Sequence, residues 1–138
     1  MCNNQDGSSI QELLNVILIL QQNACPNNGL DSCDRPILGG GANCLGCNTR
    51  PIMIYTCCPN NTALSMPTTK DATDNTDASS VFRIEKLEGD CATFRVLEAN
   101  PDATSTSPWL TTNSVFTICL DCICCVRCLS DTYVDGVC

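Results

Sequence analysis

The rhythm of hydrophobic and polar residues changes several times along this chain, and each change marks an element. Between residues 8 and 24 the apolar positions recur at helical spacing. Ile10, Leu13, Leu14, Ile17 and Leu20 make one stripe, and Val16, Leu18 and Ile19 widen it almost all the way round. Ser9, with Glu12 three positions on, has the spacing of a capping box, and Cys25-Pro26 ends the run. A helix this apolar either packs into a core or docks on a partner, and core packing is the commoner role. Its β-branched residues leave a strand as the alternative.

Downstream the period shortens to two. Residues 27 to 49 are turn-rich and predict loop; the triplet Gly39-Gly40-Gly41 lacks the preceding strand and following Lys-Ser/Thr of a phosphate loop. "RPIMIYTCC", residues 50 to 58, reads as a strand opened by proline. Residues 59 to 80 are nearly all Thr, Asn, Asp, Ser, Ala and Pro, so they predict a surface loop or link; Asn60-Asn61-Thr62 matches a glycosylation sequon. Over residues 81 to 97, Phe82 and Ile84 alternate with Arg83 and Glu85, and Phe94 and Val96 alternate with Thr93 and Arg95. With Gly89 between them, these runs predict a hairpin. A second polar loop over 100 to 113 precedes another alternating run, Val115 to Ile123, with Phe116, Ile118 and Leu120 on one side and Thr117, Cys119 and Asp121 on the other. Four strands without intervening helical patterns predict a mainly β domain, a single antiparallel β-sandwich or barrel with an N-terminal helix. The division expected is a helical segment over residues 1–26 and a cysteine-rich β domain over 27–138.

A chain of 138 residues suffices for one domain with a real core. Its net charge of -8 repels phosphate backbones and anionic lipid, so neither nucleic acid nor a membrane is an expected partner. The apolar run Val16 to Leu20 is too short for a signal core or span, and "MCNNQDGSS" carries no positive residue, so no export signal is expected.

Cysteine dominates the composition, with fourteen residues: Cys2, Cys25, Cys33, Cys44, Cys47, Cys57, Cys58, Cys91, Cys119, Cys122, Cys124, Cys125, Cys128 and Cys138. At this density a disulfide or metal framework explains the chain better than packing does. Cys119, Cys122, Cys125 and Cys128 approach the spacing that wraps an iron–sulfur cluster, but the last gap is short, Leu129 replaces the proline and Cys124 intrudes. Cys44, Cys47, Cys122 and Cys125 could offer zinc four thiolates, yet the two pairs lie far beyond the usual separation of about 15 to 20 residues. A thioredoxin-type site needs one Cys-x-x-Cys in an α/β pattern, which is absent. The chain has no histidine to act as base, so no enzymatic activity and no cofactor are expected.

Disulfide staples account for more of the cysteines. Were the last strand to run on past Leu120, Cys122 and Cys124 would continue its core side while Cys119 and Cys125 faced away. The neighbours Cys57 and Cys58 diverge in a strand and are poorly placed to bond each other. Cys2 and Cys138, near the chain ends, could reach a neighbouring molecule. All fourteen are therefore candidates for disulfides within and between chains, with the cysteine-ligated zinc or iron–sulfur protein as the alternative.

Three segments, "NTRPIMIYT" at 48 to 56, "VFRIEKLEGDCATFRVL" at 81 to 97 and "TICLDCICCVRCL" at 117 to 129, together resemble the CotY/CotZ/ExsY family of cysteine-rich spore coat and exosporium proteins. On that resemblance Asn48, Thr49, Arg50 and Pro51 fall on the family's first strand signature, Cys91 on its hairpin cysteine, and Asp121, Cys122, Cys124 and Cys128 on its terminal motif. Cys57, Cys58, Cys119 and Cys125 are additional. The resemblance implies a structural protein of the endospore surface, outer coat or exosporium, made in the mother cell without a signal peptide. It implies partnership with further copies of itself, in hexamers and two-dimensional layers locked by disulfides, and with other coat proteins.

Overall fold

The computed structural model describes residues 7–25, 47–57, 62–74 and 76–138. Its elements in chain order are helix α1 (Gly7–Ala24) and strands β1 (Ile52–Thr56), β2 (Thr62–Ala63), β3 (Met66–Pro67), β4 (Ala78–Ser79), β5 (Val81–Glu88), β6 (Cys91–Ala99), β7 (Trp109–Cys119) and β8 (Ile123–Cys128). A single 3-10 turn, Leu120–Cys122, separates β7 from β8. The glycine triplet and the asparagines of the sequon lie outside the described residues.

The main sheet is antiparallel and runs β2-β1-β5-β6-β7, with β8 paired to the other side of β1. Thus β7 and β8, joined by three residues, lie at opposite ends of the strand order. A flat sheet would hold them several strand widths apart, about 4.8 Å each. The sheet instead curls into a half-barrel, in keeping with the expected mainly β, antiparallel domain with an N-terminal helix. Irregularities in register at Ile84/Lys86, Arg95/Leu97 and Tyr55/Thr56 supply the local bends that such curling needs.

The predicted hairpin is present as β5 and β6, closed by Gly89-Asp90 between Glu88 and Cys91. Gly89 has φ +59°, a backbone region that favours glycine. Other boundaries differ from expectation. The loop expected over 59 to 80 contains the short strands β2, β3 and β4, and the loop expected over 100 to 113 ends early because β7 begins at Trp109. There Trp109, Leu110 and Thr111 pair with Ala99, Glu98 and Leu97; cross-strand partners override a polar local composition. The strand expected over 115 to 123 breaks at Leu120, where the chain turns onto the opposite edge.

Inside the curl, Phe82, Ile84, Ala92, Phe94 and Val96 of the hairpin meet Ile52 and Ile54 of β1, Ile123 of β8 and Leu120 of the turn. Phe82, Phe94 and Phe116 form a ring cluster with centroids 4.9 to 6.5 Å apart. Helix α1 covers this core with Leu14 and Ile17, flanked by Ile10 and Leu18. The expected stripe is therefore rotated: Leu13 and Leu20 point outward with Val16 and Ile19, and Gln21 takes a buried place. Ser9 lies inside the helix, which starts at Gly7, so it is not the cap.

The outer face of the sheet is covered too. Val81 and Leu97 pack with Val134 of the C-terminal segment, and Met53, Trp109, Leu129 and Val137 surround them.

Candidate functional site

Asn48, Thr49, Arg50 and Pro51 hold the C-terminal segment across this outer face. Asn48 Nδ2 donates to the Val134 carbonyl and Asn48 Oδ1 accepts the Val134 amide, both at 2.9 Å. The amide of Thr49 donates to Thr132 O at 3.1 Å, and that of Thr132 to Thr49 O at 3.0 Å. Arg50 makes a bidentate pair with Asp131, Nε–Oδ1 2.7 Å and Nη2–Oδ2 2.9 Å. Leu129 donates its amide to Pro51 O at 2.8 Å. Four successive residues thus grip four positions downstream, and an extended chain with proline at its end is suited to that ladder. The hydrogen bond from Arg50 holds the Asp131 carboxyl below the usual carboxylate range, against partial burial.

Beneath this clasp Arg83, which alternates with the core-facing Phe82 and Ile84, is almost fully buried as well. It donates to Thr49 Oγ1 at 3.0 Å and pairs with Glu85, which also meets Arg95 at 3.3 Å. Gln21 ties the helix to the same region, donating to Ile84 O at 2.8 Å and accepting the Arg50 amide at 3.1 Å. Neither role was legible in the periodicity, because each depends on which distant segment packs against the residue in the fold.

Two disulfides are described in full. Cys25–Cys138 joins the end of α1 to the clasped C-terminal segment, with Cα atoms 5.3 Å apart. Cys57–Cys124 joins the chain just beyond β1 to β8, with Cα atoms 5.1 Å apart. Cys124 stands where the β1–β8 register shifts, and the extra residue there turns its side chain toward Cys57. Cys47 is disulfide-bonded as well. Cys138, expected as a terminal thiol free to reach a neighbour, is thus held within the chain. Cys2, Cys33, Cys44 and Cys58 lie outside the described residues.

Five described cysteines are free: Cys91, Cys119, Cys122, Cys125 and Cys128. All are exposed except Cys91, which is half-buried. The expected inward placement of Cys122 and Cys124 does not hold, because the 3-10 turn resets the alternation: Leu120 and Ile123 are buried while Cys122 and Cys124 face solvent. Cys125 and Cys128, three positions apart on β8, leave opposite faces of the strand. Among the described residues no three Cys, Asp or Glu side chains converge where a metal ion could sit. The four cysteines spaced like cluster ligands are spread over a strand end, a turn and an edge strand.

Fold and site together define a disulfide-stapled β domain that carries a strip of exposed thiols along one edge. The chain matches the family model for Spore coat protein Z over residues 1–131, and it belongs to that spore coat family. The resemblance seen in its three sequence segments is thereby shown. No curated protein and no solved structure matches the chain. Among the described residues no helix is long and apolar enough to cross a membrane.

Proposed function

We propose that this spore coat protein is a non-enzymatic building block that assembles with further copies of itself, in hexameric units and two-dimensional layers, at the outer coat or exosporium. Noncovalent faces set the arrangement, and disulfides between subunits lock it. The order follows from reach: a disulfide needs Cβ atoms within about 4.5 Å, so partners must already be placed.

The observation that carries this reading is the strip Cys122, Cys125 and Cys128. The internal disulfides leave these thiols exposed on the turn and on β8, which among the described residues pairs only with β1. An edge strand with an open side favours approach by another chain, and thiols leaving both faces favour bonds to more than one neighbour. The exposed Leu13, Val16, Ile19 and Leu20 on α1 add an apolar surface that contacts between copies would cover. Other coat proteins are further partners in this reading.

A triple variant, Cys122→Ser with Cys125→Ser and Cys128→Ser, tests it. The internal disulfides and the subunit fold should be retained, particles should still form, and after oxidation they should dissolve in denaturant without reductant. Particles as resistant as those of the natural chain would refute the role of the strip.

A further inference from the structure

Cys91 and Cys119 have a different geometry from the other free cysteines. They face each other across β6 and β7, in register. The amide of Leu120 donates to Asp90 O at 2.8 Å, a bond that flanks the pair rather than joining it. The pair therefore occupies a non-hydrogen-bonded position of the ladder, where opposed Cα atoms are about 4.5 Å apart and side chains are closest. The next such pair along, Thr93 and Thr117, has hydroxyls 2.8 Å apart. The two Cys sulfurs are 3.9 Å apart, in contact but not bonded. The Cα separation of this ladder position lies inside the range that disulfides span, about 4.4 to 6.8 Å, so rotation of side chains suffices to close the bond. The ends are anchored: Gly89-Asp90 turns the chain before Cys91, and buried Leu120 follows Cys119.

We propose that Cys91 and Cys119 are a cross-strand dithiol that closes to a disulfide within the subunit by exchange with an exposed external disulfide, and so withdraws both thiols from bonds between subunits. Cys119, the more exposed, attacks one sulfur of the external disulfide as thiolate and expels the other as a thiolate, giving a mixed disulfide on Cys119. Cys91 then yields its proton to solvent and attacks the Cys119 sulfur, expelling the second thiolate. Two protein thiols are oxidised and one external disulfide is reduced to two thiols. The Cys91 thiol is pushed up by its contact with Cys119 and, less strongly, by desolvation, which suits it to act second. Closure stands without the assembly reading; the consequence for bonds between subunits rests on it.

The test uses the full chain in two forms, natural abundance and ¹⁵N-labelled, mixed while reduced, exposed to oxidised glutathione, then alkylated and mapped by mass spectrometry. The expected result is a Cys91–Cys119 peptide pair that is light–light or heavy–heavy only. The variant Cys91→Ser should turn Cys119 from closed pair to glutathione adduct as its main form. The proposal is overturned if Cys119 in the natural chain accumulates as adduct with Cys91 alkylated, or if the Cys91–Cys119 link is found between light and heavy chains. Light–heavy links at Cys122, Cys125 or Cys128 report separately on assembly, and their absence would count against that reading while leaving the pair intact.

Discussion

Individual side chains in the clasp differ in what they contribute, and burial decides the order. Asn48 satisfies both backbone groups of Val134, a residue with no exposed surface. Removing that amide leaves a buried donor and acceptor unpaired, so Asn48→Ala is expected to lose about 3 kcal/mol. Arg50 and Asp131 are more than a third exposed, and solvent screening limits their pair to under about 1 kcal/mol despite bidentate geometry. Because folding lowers the Asp131 pKa, its contribution is present at neutral pH and disappears as pH falls through and below the ordinary carboxylate range. Urea unfolding with the disulfides intact, at pH 7 and pH 3, checks both statements. Asp131→Asn should show a small deficit at pH 7 that shrinks at pH 3, and Asn48→Ala should keep its larger deficit at both. The Asn-Thr-Arg-Pro signature was legible as a family mark; its physical task was not, since its partners lie some eighty residues downstream.

At the level of elements, α1 shows how far a pattern reaches. Periodicity identified the helix but not its buried arc, because apolar residues encircle it almost completely. The core selects Leu14 and Ile17, both with no exposed surface, while Leu13 and Leu20 remain 38% and 44% exposed. Leu14→Ala is accordingly expected to lose about 2 to 5 kcal/mol and Leu13→Ala less than about 1 kcal/mol, as measured by thermal unfolding of each variant. Equal losses would mean that both faces are packed. The hairpin was read almost residue for residue, since strict alternation around a glycine turn has few alternatives. The break between β7 and β8 was invisible, because Leu120 and Ile123 are both apolar and only the curling of the sheet explains why the chain turns between them.

At the scale of the whole molecule, one chain both closes and leaves itself open. Helix and C-terminal segment cover the two faces of the sheet, and Cys25–Cys138 fastens one cover to the other. Exposed thiols remain at Cys125 and Cys128 on β8 and at Cys122 on the turn before it, beside the internal Cys57–Cys124 bond. Composition announced the staples from the start. Which cysteines would bond was not legible, because pairing depends on bulges and on strand order rather than on spacing. In the assembly proposed above, the internal disulfides stabilise each copy, and the exposed thiols link copies that noncovalent contacts have already placed.

Electron microscopy of the purified full chain tests that claim most directly, with one sample held in reductant and chelator and the other oxidised in air. The account predicts rings, sheets or stacked arrays in both, with only the oxidised sample surviving denaturant. Uniformly small particles in both samples would contradict it.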